Sequence, residues 1–338
     1  LLVAQREFAA ELAQYGITSV GGVMNKEDIP VLESLDYLEN FPLDVAGYFN
    51  VEDPEKLDLL NQQIQKHRMI SDHFTVTGLK RFMDGSFGAQ TALMHEPYTN
   101  SLSKSTGFLA TDMKRLESEI FSALSLQYDV MIHAIGDKAN AMLVDSLIRI
   151  LALYPKMPKF WKKLSDASKF RTVRLRIEHA SMLTPDLVEK MAQHNIIPVS
   201  QPEFIRSETE WIGDYLGAER LNYLYPFKIM VDHGLKLAGS SDSPVESTEV
   251  LAALQDCVLR FGLNPTQAIS LSQAFQLYTL NAAYAIGQEH LRGSLESGKY
   301  ADFFLTDRNL FETAPEQLRD VRILKTYVRG KCIYTRTE

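Results

Sequence analysis

The sequence predicts an α/β protein, a (β/α)8 barrel without its first strand, followed by a small antiparallel element. Three observations carry this. Short β-branched or apolar runs alternate with amphipathic helical stretches over most of the chain, the signature of a parallel sheet. Chemically distinctive side chains recur at the C-terminal ends of four of those runs, the end at which a β/α barrel keeps its active site. Past residue 240 the alternation stops, and the tail reads as hairpin-forming strands.

The elements follow in order. Ala4, Phe8, Leu12 and Tyr15 fall at helical spacing and Gly16 stops the run, so the chain opens on an amphipathic helix. Ile17–Val20 is the next strand, then Asp44–Phe49 and Gly78–Met83. Asp129–His133, Val173–His179, Ile196–Ser200 and Leu235–Gly239 complete a set of seven. Met113–Leu126 and Pro185–His194 are among the intervening helices. An eighth strand ahead of the first helix would close the barrel, so the first strand is expected to precede Leu1. Pro265–Ile286 reads as one long helical region begun by Asn264-Pro265. Gly293–Leu295, Ala301–Leu305, Ile323–Val328 and Cys332–Tyr334 read as strands, the last two joined by a Gly330-Lys331 turn. The expected division is a barrel over residues 1–290 and the small antiparallel element over 291–338. Lys156–Lys169 is basic and reads as a solvated surface insertion.

Composition narrows the function classes. Of 338 residues, 45% are hydrophobic and 23% charged, an ordinary balance for a globular protein. A formal charge of -8 disfavours nucleic acid or an anionic membrane surface as partner. No apolar run approaches the ~20 residues of a membrane span. Two cysteines, Cys257 and Cys332, cannot build a Cys-rich metal site and suit a reducing, cytoplasmic compartment. The expected partner is a small-molecule substrate, with a homodimer as the expected assembly.

The candidate site residues are Lys80, His133, His179 and Asp242, each at or just past the end of a different strand. One strand-end histidine is more often a hydrogen-bonded core residue than a ligand; four such residues at one end of a sheet point to a metal centre. Neutral imidazole suits zinc, and carboxylate suits harder ions too. A catalytic metal keeps a position open for water and lowers its pKa to about 7. Asp242 can then move a proton from that water to a leaving amine. A protonated Lys80 would repel a cation, whereas its carbamate would offer two anionic oxygens. Strand alternation places Lys80, Phe82 and Asp84 on one face. His95, on the loop after that strand, can line the pocket.

Several stretches carry a resemblance. Phe82–Ala92, His133-Ala134-Ile135-Gly136-Asp137, Ile177-Glu178-His179, Ser200-Gln201-Pro202 and Gly239–Val245 resemble the strand-end motifs of the amidohydrolase superfamily. The match is to its amidohydrolase 3 subgroup, which includes N-substituted formamide deformylases. The tail Gly293–Asp302 is similar to that family's return from the barrel to a small β-sandwich, so the last strands would be half of one. The resemblance implies that Lys80 is a carboxylated lysine bridging two divalent ions, in all expectation zinc. It implies that His133 and His179 bind the second ion, and that Asp242 is both ligand and proton shuttle. Asp84, Asp137 and Gln201 would sit at the substrate. The family's first strand carries a His-x-His pair, and this chain contains none. One ion at most is therefore expected here, through Lys80, His133 and His179.

The expected activity is metal-dependent hydrolysis of a C–N bond, amide or N-formyl. The rival is a non-catalytic or regulatory protein on the same scaffold, favoured by the missing His-x-His and opposed by the four intact site residues. A phosphate-handling barrel is disfavoured, because no Gly-rich loop opens a helix after the last two strands.

Overall fold

The computed structural model describes residues 2–25, 27–37, 41–50, 73–153 and 173–337. The expected surface insertion at Lys156–Lys169 lies outside them.

Seven parallel strands form one curled sheet, in strict sequence order. They are β1 (Ser19–Met24), β2 (Asp44–Asn50), β3 (Phe74–Phe82), β4 (Asp129–Ala134), β5 (Leu175–His179), β6 (Ile197–Ser200) and β7 (Ala238–Gly239). The connections that lie within the described residues return through a helical layer, as parallel pairing favours. Helix Met113–Ser125 shows how the sequence sets this layer. Asp112 caps it by accepting from the Arg115 N–H at 3.1 Å, and its buried face, Leu116, Ile120, Ala123 and Leu124, repeats at helical spacing. These residues join Val130, Ile132, Leu143 and Leu147 in the large core between sheet and helices.

The other face of the sheet lines the barrel interior. Ala46, Tyr48 and Met131 cluster there with Ile286, while Ile197, Val199 and Ala238 cluster with Ala285. Among the described residues β1 and β7 do not pair with each other, so the sheet is a half-barrel. The end of helix Leu280–Ala285 occupies the space between the two edges. The Tyr48 hydroxyl donates to the Ala285 carbonyl at 3.4 Å, and a Cβ on Gly21 would come within 2.6 Å of Ile286. Only glycine admits that approach.

Three strands, β8 (Phe303–Thr306), β9 (Ile323–Val328) and β10 (Lys331–Thr335), make a separate antiparallel sheet in the order β10-β9-β8. Half of a β-sandwich was expected; the helix Leu2–Gln14 packs on this sheet, as does Phe275, whose ring centroid lies 6.4 Å from that of Phe304. Ala9 and Leu12 bury against Leu43 and Val328, and the Thr326 hydroxyl donates to the Ala13 carbonyl at 2.6 Å. The helix therefore buries Ala9, Leu12 and Ala13 and leaves Ala4 and Phe8 of the expected stripe exposed.

Other departures have local causes. β1 begins two residues late and runs on past Val20 through Gly21-Gly22 to Met24. The expected long helix over Pro265–Ile286 is three pieces. After a turn at Pro265–Gln267, Ser270 and Gln273 form a capping box that starts a new helix, Leu271–Leu277. Thr279 leaves helical geometry before Leu280–Ala285. Gly293–Leu295 is a bend and irregular backbone, not strand. The last hairpin turns at Arg329-Gly330, one residue early; both have positive φ (50° and 79°), and Val328 pairs with Lys331.

A buried ionic junction joins the small sheet to the barrel. The Asp44 carboxylate, at the start of β2, receives His73 Nδ1 at 2.9 Å, Arg329 Nη2 at 2.6 Å and Arg292 Nη2. Arg292 Nη1 also meets Asp302 at 3.0 Å, and Asp302 accepts the Arg329 N–H at 2.8 Å.

Candidate active site

Register brings the predicted residues to one end of the sheet. Phe82 is opposite His133, Ala134 is opposite His179, and Ser200 is opposite Gly239. Lys80 pairs with Met131 and points inward, buried, its Nζ 4.6 Å from the Phe82 ring centroid. Burial pulls the Lys80 pKa below its ordinary value, against the fields of Glu178 and Asp242, which raise it.

The two histidines form the centre of the site. Their ring centroids lie 4.3 Å apart at 71°. Extended alternation along β5 would turn His179 toward the helices with Leu175 and Ile177. Instead His179 and Ala180 take left-handed φ of 72° and 46°, and the imidazole meets His133. Burial first, then the fields of His133 and Lys80, hold the His179 pKa well below its usual value, so the ring is neutral at pH 7.

Each ring has one nitrogen engaged. His133 Nε2 faces the Gly85 carbonyl at 3.0 Å, which can only accept; this leaves Nδ1 without a proton on the neutral ring. His179 Nδ1 lies 2.8 Å from Gln201 Oε1, which leaves Nε2 bare. A protein-held nitrogen opposite a bare one is the arrangement of a metal-binding imidazole, so the donor chemistry fits a divalent ion. No group of three or more His, Cys, Asp or Glu among the described residues converges tightly enough to hold a metal alone.

Asp242 lies on the exposed turn after β7 with φ of 53°. The surrounding protein raises its carboxyl pKa, while Lys80 and then His133 pull it down, and the solvent it also touches tempers the rise.

The remaining predicted residues shape the walls. Asp84 is buried and accepts from the N–H groups of Leu93 (2.8 Å), Ile135 (3.0 Å) and Gly136 (2.9 Å). It staples the loop after β3 to the loop after β4, and a Cβ on Gly136 would strike the Leu93 carbonyl at 2.0 Å. Asp137 opens helix Asp137–Leu153 and accepts the backbone N–H of His95 at 2.9 Å, so those two sit together; the His95 side chain is exposed. Gln201 is buried between His179 and Ser240.

A family model of the amidohydrolase family matches residues 2–334, nearly the whole chain. The chain belongs to the amidohydrolase family. It is 30% identical over 283 residues to Protein LONG AFTER FAR-RED 3 of Arabidopsis thaliana, covering 82% of this chain and 46% of that protein. It is 28% identical over 221 residues to the N-substituted formamide deformylase of Arthrobacter pascens, covering 64% and 38%. A solved metal-dependent hydrolase from Pyrococcus furiosus superposes with a TM-score of 0.76 at 29% identity, over 92% of this chain and 60% of that one. This amidohydrolase chain thus spans roughly half the length of these proteins.

Two features of the amidohydrolase site had drawn no role from the sequence. Arg176 and Glu178 alternate on β5 and pair inside the barrel through two 3.0 Å bonds, next to Lys80; their i, i+2 spacing beside His179 was the available signal. Ser240, two residues before Asp242, receives the Gln201 amide at 2.7 Å.

Behind Gln201, burial raises three carboxyl groups: Glu203 to about 8, Glu208 to about 7 and Asp256 to about 6. Neighbouring acids add to the rise at Glu203, and Arg206 opposes it at Asp256. Unfolded carboxyls titrate near about 4, so between there and pH about 8 the native state holds the extra protons. These groups therefore make stability fall as pH rises through that window. Glu203→Gln should flatten the fall in urea midpoint between pH 5.5 and 8.5, stabilising more at the higher pH. Parallel curves for the two proteins would contradict this.

Proposed function

We propose that this chain supplies most of the active site of a metal-dependent hydrolase that cleaves a C–N bond, an amide or N-formyl group, in a small molecule. The observation that carries the reading is the His133–His179 pair, two apposed rings each with one nitrogen engaged and one bare. The 28% identity to an N-substituted formamide deformylase supports the bond type.

His133 and His179 would hold a divalent ion, with zinc the best match to imidazole donors. Asp242 and a carboxylated Lys80 would be further donors. When bound, the ion supplies an activated water and polarises the substrate carbonyl. Burial favours the neutral Lys80 amine, the form whose nitrogen bonds the carbon of CO2 and sheds a proton. Asp242 accepts the proton of the attacking water and returns it to the leaving nitrogen, so that amide and water become carboxylate and amine. Asp84 fixes the two loops around His133, and Phe82, its ring centroid 5.3 Å from that of His133, walls the same space.

The test is hydrolysis of a panel of N-formyl and N-acyl amines before and after chelation. Turnover should vanish with chelator and return with zinc or cobalt. Turnover that survives exhaustive chelation would refute the metal; none on any panel member, with metal bound, would favour a non-catalytic relative.

A further inference from the structure

Gln201 hydrogen-bonds to His179 on one side and to Ser240, in the turn bearing Asp242, on the other. It is 1% exposed, and both ends of its amide are used. Oε1 lies 2.8 Å from His179 Nδ1, and Nε2 lies 2.7 Å from Ser240 Oγ.

We propose that Gln201 is a positioning residue whose amide holds His179 as the Nδ1–H tautomer, with Nε2 bare toward His133, and ties that ring to the turn bearing Asp242. This rests on reading His133 and His179 as metal donors. His179 needs such a tether. Its left-handed φ takes it off the strand's regular alternation, so the sheet alone does not aim the ring. Phe204 stacks beside it at 6.3 Å, which restrains the ring plane without choosing which nitrogen carries the proton. Only a hydrogen-bond partner makes that choice. With Oε1 toward Nδ1 the proton must sit on Nδ1. The flipped amide would aim Nε2–H at Nδ1 and force the proton onto Nε2, blocking the donor atom.

The second bond extends the reach. Ser240 is fixed to β6 by its N–H donating to the Ser200 carbonyl at 3.0 Å, and Asp242 follows two residues later at φ 53°. Gln201 therefore spans β5, β6 and β7 and keeps ligand and proton carrier in one frame.

The test uses the whole chain, stripped of metal and labelled with 15N-histidine. In the wild type, His179 should show a protonated Nδ1 and a bare Nε2. Gln201→Leu, similar in volume but unable to accept, should lose that preference. Its affinity for cobalt(II) should fall about 10- to 100-fold, the scale of losing an outer partner of a metal-binding histidine. Gln201→Glu keeps an acceptor oxygen and should restore both the tautomer and the cobalt affinity to within a few-fold. A wild-type His179 protonated at Nε2 overturns the proposal even if the leucine variant fails to fold, as does a glutamate variant no better than leucine. A wild type that takes up no cobalt while His179 shows the Nδ1–H tautomer overturns the metal reading and leaves the role of Gln201 in setting the tautomer standing.

Discussion

Asp242→Asn should reduce kcat on the best panel substrate by about 10^2- to 10^4-fold, the range for a lost general acid–base group, with little change in stability. The variant is chosen for its backbone. Asp242 sits at φ 53°, and asparagine shares aspartate's tolerance of the left-handed region. An alanine or valine there would add strain to the loss of chemistry. Asparagine keeps the turn, including the Val245 N–H that donates to the Asp242 carbonyl at 2.9 Å. It removes only the carboxylate that accepts and returns a proton. The checks are steady-state kinetics and urea unfolding on the same preparations. A variant as fast as wild type would remove Asp242 from the mechanism. A variant that is slow but also unfolded at low urea would show that the turn was carrying structure.

The second large effect concerns folding. Asp44→Ala should destabilise the chain by about 3–5 kcal/mol, the usual cost of deleting one partner of a buried ion pair. Its carboxylate is the common acceptor for Arg292, Arg329 and His73, and Arg292 is itself buried. Alanine would take from Arg292 and Arg329 the carboxylate they share, although Arg292 keeps its bond to Asp302 and the Arg329 N–H still donates to that residue. Both guanidinium groups also lie over the Tyr300 ring, at 5.4 Å and 4.6 Å, which moors them but cannot neutralise them. Urea denaturation measures the loss; less than about 1 kcal/mol, the scale of an exposed pair, would show that the junction contributes little.

Much of the barrel was legible because parallel strands and their helices repeat a local pattern. The inward placement of Lys80 followed from alternation alone. His179 did not: its ring reaches His133 by abandoning alternation, through two positive φ values that no periodicity encodes. The work of Asp84 was equally hidden, because its acceptors' partners, Leu93, Ile135 and Gly136, are brought together only by the fold. Gln201 was recognised as part of a motif, but its pairing with both His179 and Ser240 required three strands in register. Near the C-terminus a local signal was misread. The capping box at Ser270 interrupts an apolar run that otherwise looks like one helix.

The insertion of Ala285 and Ile286 between the sheet's two edges has a consequence for how the chain folds. Tyr48 and Ala285 are 237 positions apart, so the inner lining cannot be completed until residue 285 has emerged from the ribosome. Until then Ala46, Tyr48, Ile197 and Val199 lack their cover. Contacts of such long range close slowly, and the apolar surface left open in the interval favours aggregation. Chains interrupted during synthesis before residue 285 should therefore be prime clients for chaperones, whereas the helical layer outside the sheet is set by nearer neighbours and can form early.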